Sequence, residues 1–329
     1  MAIRVATRAE IPLVDLTPLV EDPEGGVTPV AEQIGRACRG LGFFYLTGHG
    51  VSSVMMADLF TQARRFFALP QADKDAISIE RSPHNRGYVP IEGESLDPGV
   101  PPDLKEGFNI GLELAPDDPE LLAGVPFRGL NLWPTGDSMA GWRSEMLAYF
   151  DRAKAICDLV HRAIAVDLGL SPDHFVPHFR RPLATLRLLH YPPMSPAAAG
   201  QIGAGTHTDY GNMTLLLTDG VGGLQVQTRD GDWIAAPHVE GAFVCNIGDC
   251  LMRWSNDVYV STPHRVIPTG ERHRYSIPFF YDPDPDAPIT CLSTCVSADR
   301  PARYPPTTGA DYLKSRLDAT YAFRSDEDL

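Results

Sequence analysis

The sequence predicts a mixed α/β fold with a mainly β core, in which a helical N-terminal half packs on a C-terminal sandwich or barrel of short strands. Three observations predict it. Apolar residues recur at helical spacing through much of the first half. From Ala184 onward, short β-rich runs follow one another, separated by turns such as GVGG, RDGD and PTGERH. No internal repeat and no apolar run of membrane-spanning length breaks the pattern.

IPLVDL, residues 11–16, reads as a short strand. Residues 27–41 carry a helical pattern that Gly42 ends, and GFFYLTGHG reads as a buried strand. A second amphipathic helix is expected over 52–69, with Pro70 as its stop. Residues 82–103 are rich in Gly and Pro and read as a long loop, the kind that covers a site. A long helix is expected over 138–168, before Gly169. Eight strand-like runs follow: ATLRLLHY, MTLLLT, GLQVQ, DWIAA, AFVCNIG, YVSTP, HRVIP and RYSIPFFY. A helix at 310–323 closes the chain. Three regions are expected to form one cooperative unit: 1–183, mainly helical; 184–298, the β core; and 299–329, helix and tail.

The chain has 329 residues and a net charge of −14. Nucleic acid and anionic membrane surfaces reward a basic face, so neither is an expected partner. The six cysteines form no CxxC pair and read as buried, reduced thiols. The N-terminal stretch lacks the apolar core of a signal peptide. A cytoplasmic monomer is the expected state.

THTDYGNMTLLL puts His207 and Asp209 two positions apart, before an apolar run. On a strand, alternate side chains share a face, so both would point toward one ion. His264, in STPHRVIP, supplies a third donor 55 positions after Asp209. Two imidazoles and one carboxylate form the facial triad of non-haem Fe(II) oxygenases. Each piece also has an ordinary reading: a lone histidine is usually a hydrogen-bonded structural group, and Asp209 is well placed to cap a turn. Arg274 and Ser276, in RYSIPFF, again share a face and lie one hairpin beyond His264. Aimed inward they suit a carboxylate, because the guanidinium fork takes two oxygens and the hydroxyl a third bond. Aimed outward, Arg274 is an ordinary surface residue.

The combination of HTD (207–209), HRV (264–266) and RYS (274–276) resembles the isopenicillin N synthase-like family of Fe(II)/2-oxoglutarate oxygenases. GFFYLTGHGV, RGYVP, LKEGFNIG, LRLLHYPP, GGLQVQ and NIGD also look like family segments, so nearly the whole chain takes part. The resemblance implies a double-stranded β-helix, or jelly roll, with helices packed outside. It implies Fe(II) on His207, Asp209 and His264, and 2-oxoglutarate on Arg274 and Ser276 with Tyr191 beside them. It further implies O2-dependent oxidation of a small-molecule substrate, with release of succinate and CO2. Leu189 stands where many plant members have an asparagine that touches the cosubstrate. Arg187, Tyr210 and Phe280 fall where the family lines its substrate pocket, and Tyr88, Glu94, Phe108 and Asn109 fall in a stretch, 86–111, expected to close over it. The pattern is similar to a bacterial ethylene-forming enzyme and to the thymine hydroxylase branch, and a bacterial member is expected. Lys105 and Glu106 read as a structural pair or solvated turn, Asp249 as a turn residue, and the other eight histidines as structural. The alternatives are a same-fold oxidase that does not use 2-oxoglutarate, ethylene-type fragmentation of 2-oxoglutarate, a Zn(II) hydrolase, and a binding protein.

Overall fold

The computed structural model describes residues 3–95, 102–193, 202–267 and 272–320. The first half contributes strands β1 (Arg4–Val5), β2 (Leu13–Asp15), β3 (Phe43–Thr47), β4 (Gly87–Val89) and β5 (Glu106–Gly111). Its helices are α1 (Thr17–Glu21), α2 (Val27–Arg39), α3 (Ser53–Phe67), α4 (Gln71–Asp75), α5 (Pro119–Leu122) and α6 (Trp142–Asp167). The second half supplies β6 (Thr185–Tyr191), β7 (Ala204–His207), β8 (Met213–Thr218), β9 (Leu224–Gln227), β10 (Trp233–Ala235), β11 (Phe243–Ile247), α7 (Asp249–Trp254), β12 (His264–Val266) and β13 (Arg274–Tyr281). A small hairpin-like pair, β14 (Pro288–Ile289) and β15 (Thr307–Thr308), precedes α8 (Gly309–Thr320).

An eight-stranded sheet has the order β2-β3-β11-β8-β13-β6-β5-β4, and a five-stranded sheet the order β1-β10-β9-β12-β7. The two make the jelly roll. On the large sheet's outer face lie α2, α3 and α6. In α3, Met56, Leu59, Phe60, Ala63, Phe66 and Phe67 are buried, the three-and-four spacing of a one-sided helix. Ser52 starts that helix by accepting the Met55 N–H at 3.1 Å. In α6, Trp142, Met146, Tyr149, Phe150 and Ala153 continue the same buried layer. A second apolar cluster, with Phe43, Leu189, Leu224, Val226 and Val266, fills the space between the sheets.

The structure corrects several expectations. The stretch 86–111 is no simple lid: β4 lies at the edge of the large sheet and β5 pairs it to β6, so they form wall. Residues 96–101 lie outside the described residues. The Gly and Pro content of this stretch hid two short strands whose alternation spans only a few residues. YVSTP forms no strand. Asn256 and Asp257 take left-handed backbone angles just before it, and Tyr259 turns to Asp167 at 2.6 Å, so pairing begins only at His264. The long helix starts at Trp142, because Gly141 sits at φ 79°, outside helical space. The last helix is described to Thr320, and the expected residues beyond it lie outside the described range.

Candidate active site

His264 pairs directly with His207 across β12 and β7, with ring centroids 4.3 Å apart. His207 ends its strand, and Asp209 lies in the turn after it, not on the strand as the two-residue spacing suggested. The turn still brings Asp209 back. Its Oδ1 stands 3.8 Å from His207 Nε2 and 3.6 Å from His264 Nε2. The three donor atoms lie within 4.8 Å of one another.

The hydrogen bonds behind these atoms decide their chemistry. His207 Nδ1 sits 2.7 Å from the Gly205 carbonyl, and His264 Nδ1 sits 3.1 Å from that of Thr262. Only an N–H satisfies a carbonyl, so Nδ1 carries a proton in both rings, and Nε2 is the nitrogen each ring turns toward Asp209. Burial, then the neighbouring His264, pushes His207 down to about 3, so its ring is neutral. Burial opposes the charge on Asp209, but the two imidazoles and the Asn246 and Thr214 bonds outweigh it and hold its pKa low. Asp209 Oδ2 accepts from Thr214 Oγ1 at 2.5 Å and Asn246 Nδ2 at 2.7 Å. That leaves Oδ1 as the outward lone-pair donor. Two imidazole nitrogens and one carboxylate oxygen, fixed by outer partners, fit Fe(II).

The loop carrying Asp209 is fixed by contact. A Cβ on Gly248 would stand 2.2 Å from the Gly211 carbonyl oxygen and 2.9 Å from that of Asp209. On the other side, Asp103 accepts the Gly205 N–H at 2.9 Å and pairs with Lys105. Lys105 also stands 3.4 Å from Glu94. The expected Lys105–Glu106 pair does not form. Side chains on adjacent strand positions point to opposite faces, so Glu106 bonds instead to Lys74, Tyr88 and His190, on the outer side. Asp249 begins α7 and accepts from Thr208 and Arg316.

A single cavity holds the donor cluster together with Arg274, Ser276 and Tyr191. Arg274 is 2 % exposed. It donates to the Gly222 carbonyl at 2.7 Å and to Ser276 Oγ at 3.2 Å, and its guanidinium lies 4.6 Å over the Tyr191 ring. Leu189 faces Ser276 across β6 and β13.

Arg187, Tyr210, Phe280 and Asn109 also line the cavity. Arg187 pairs with Glu94 at 2.6 Å, and Arg316 lies 4.9 Å over Tyr210. Glu94 stands behind Arg187. Tyr88 and Phe108 do not reach the cavity: they pack in the helical core against Phe66, the alternate face of the strands that present Asn109. Sequence reasoning missed Thr214 and Asn246, whose signal was a polar residue inside an apolar run. It also missed Asp282, whose carboxyl burial pushes up to about 7, and Arg86, which burial and then Arg128 push down to about 10.

A jelly roll whose inner faces present this donor set beside a buried arginine is the architecture of a non-haem iron oxygenase. Residues 182–283 match the family described as 2OG-Fe(II) oxygenase superfamily, and residues 11–136 match the N-terminal family described as non-haem dioxygenase in morphine synthesis. The 2-oxoglutarate-Fe(II) type oxidoreductase hxnY of Emericella nidulans is 36% identical over 94% of this chain and 90% of its own. The structure of Neurospora crassa T7H in complex with alpha-KG shares 33% identity at a TM-score of 0.86, covering 97% of this chain and 99% of that one. A 2OG-Fe(II) oxygenase family protein from Caulobacter crescentus gives 33% and 0.82, over 94% and 98%. The chain belongs to the 2OG-Fe(II) oxygenase superfamily. It is a 2-oxoglutarate-dependent Fe(II) dioxygenase that requires Fe(II), 2-oxoglutarate and O2 and acts on a small molecule.

Proposed function

We propose that His207, Asp209 and His264 hold the iron, and that Arg274 and Ser276, with Tyr191 beneath the guanidinium, hold the distal carboxylate of 2-oxoglutarate. One observation carries this: the three convergent donor atoms and the buried Arg274–Ser276 pair open on the same cavity. Bound there, iron supplies O2-dependent oxidation of a substrate C–H bond, coupled to conversion of 2-oxoglutarate to succinate and CO2. The protein's residues do the positioning. Gly205 and Thr262 carbonyls fix both imidazoles, and Thr214 and Asn246 fix Asp209. Arg274 neutralises the carboxylate that does not reach the metal. Leu216, Leu224 and Val266 line the cavity between them and keep it apolar.

We assign Arg187, Tyr210, Phe280 and Asn109 to the substrate wall, with Glu94 orienting Arg187. We place the chain near the T7H-like branch, supported by 33% identity over 97% of its length. We also propose a monomer, folding as one cooperative unit and working in the cytoplasm without nucleic acid or membrane partners. Support comes from the net charge of −14, from free cysteines that are mostly buried, and from β3, an N-terminal strand seated between β2 and β11. Among the described residues no helix is long and apolar enough to cross a membrane.

The test is a metabolite-library screen for O2-dependent succinate release, with products identified by mass. Equal substrate turnover without any 2-oxo acid would overturn the cosubstrate assignment.

A further inference from the structure

The buried arginine at the distal end of the cavity is held by a carbonyl and a hydroxyl, not by an acid. Arg274 Nε donates to the Gly222 carbonyl at 2.7 Å and Nη1 to Ser276 Oγ at 3.2 Å. Among the described residues no carboxylate pairs with its guanidinium. The fork therefore stands only as firmly as the turn that carries Gly222 and the strand end that carries Arg274. Neither is firm by itself. Gly220, Gly222 and Gly223 sit at φ 81°, 89° and 93°, and glycine has the most backbone freedom to lose. Arg274 is the first residue of β13, and the ladder between β13 and β8 stops short of it, at Ser276 opposite Thr218.

One side chain ties the turn to the strand end. Asp219 directly follows β8. Its Oδ2 accepts the Tyr275 N–H at 2.6 Å, and its Oδ1 accepts the Val221 N–H at 3.0 Å. The first bond extends the β8–β13 contact past the last ladder pair, to the residue beside Arg274. The second closes the turn one residue before Gly222. Two further contacts complete the frame. The Tyr275 ring stacks on His190 at 4.7 Å, on the outer face of the sheet. The Gly223 carbonyl accepts the Ile267 N–H at 2.9 Å, and a Cβ on Gly223 would stand 2.6 Å from the Ile267 carbonyl oxygen. Among the described residues Asp219 has no cation, so both of its oxygens serve these two N–H groups. A carboxylate accepts at both oxygens, whereas asparagine accepts at one and turns an NH2 on the other N–H.

Resting on the 2-oxoglutarate site assigned above, we propose that Asp219 is the positioning residue of that site. It fixes the distance between the Arg274 fork and the three donor atoms, and so selects 2-oxoglutarate over its longer homologues. A diacid held at the metal by one end meets a fixed fork at one chain length only. A fork that drifts loses affinity for the matching length and discrimination against the others.

The test uses full-length protein loaded with Fe(II) under argon, with binding read by calorimetry. The probes are 2-oxoglutarate, 2-oxoadipate, which is one methylene longer, and pyruvate, which lacks the distal carboxylate. Wild type should bind 2-oxoglutarate the tightest of the three. Asp219→Ala should weaken 2-oxoglutarate about tenfold, the scale of lost hydrogen bonds to a charged group, and narrow its lead over 2-oxoadipate. Pyruvate and Fe(II) affinities should stay within about twofold. Asp219→Asn keeps one acceptor and should fall between wild type and Asp219→Ala; it decides alone if the alanine variant does not fold. Wild type binding 2-oxoadipate as tightly as 2-oxoglutarate would overturn the proposal, as would unchanged 2-oxoglutarate affinity in the folded variants. A loss shared equally by Fe(II) would also overturn it, because that is what a purely structural role predicts. Arg274→Ala, titrated alongside, separates the two levels: undiminished 2-oxoglutarate binding there would count against the proposed function itself.

Discussion

Asn246 donates to Asp209 Oδ2 at 2.7 Å from the middle of the large sheet, while Asp209 Oδ1 faces the two histidines of the small one. One carboxylate thus joins the two sheets of the roll. Its removal should act on metal first. Asp209→Ala and His264→Ala are each expected to lose iron and turnover together, read by iron content per chain. Full iron and normal turnover in His264→Ala would sink the ligand assignment.

Arg274→Ala should raise the apparent KM for 2-oxoglutarate about ten- to a hundredfold. The hydrogen bonds of a charged group are worth roughly 1.5–3 kcal/mol. Arg274→Lys should recover little, because a point charge lacks the fork. Ser276→Ala should cost less, since the charge stays. Wild type should prefer 2-oxoglutarate to pyruvate, and Arg274→Ala should lose most of that preference. An unchanged preference in the variant would contradict the assignment.

Gly248→Ala should impair the iron site through its backbone. The added carbon meets two carbonyl oxygens that cannot swing away, one of them that of Asp209. Overpacking of this kind costs roughly 1–3 kcal/mol. Lower Tm and reduced iron loading are expected together; a variant with wild-type values of both would show that the loop has room to move.

Acid should destabilise the protein partly through His161. Its Nδ1 donates to the Cys157 carbonyl at 2.9 Å, and Nε2 accepts from Asn212 at 3.2 Å. Burial lowers its pKa to about 4, against about 6.5 in an unfolded chain. Between those values the unfolded state binds the proton and the native state does not. Stability therefore falls as pH drops through that window, by roughly 3 kcal/mol in all. Urea unfolding of wild type and His161→Gln at pH 7 and pH 4 should show wild type losing more. A pH-independent difference between the two would refute it.

The cysteines should be dispensable for chemistry. Cys245 and Cys250 are buried, and burial raises both thiols well above their usual range, so neither is a ready thiolate. Serine at either position should keep turnover while lowering Tm. A well-folded Cys250→Ser protein without activity would show otherwise.

The sequence by itself determined the class of chemistry and picked out five residues that the structure brings onto one cavity. His207, Asp209, His264, Arg274 and Ser276 were legible because each sits in a short motif with fixed spacing, and local spacing survives folding. The barrel was legible because short apolar runs between turns leave few other ways to bury them. Tertiary structure alone decided which face each residue took. Asn109 reaches the cavity while Phe108 and Tyr88 turn to the helical core, because strand side chains alternate and a shift of one position reverses every face. Lys105 and Glu106 part for the same reason. The partners of Asp209 come from β8 and β11, far apart in the chain, and only sheet pairing puts them side by side. Arg86 drew no attention in the sequence, since a guanidinium gains meaning only from what surrounds it. The His84, Asn85 and Phe127 carbonyls that receive it come together only once β4, β5 and the residues around Phe127 have packed.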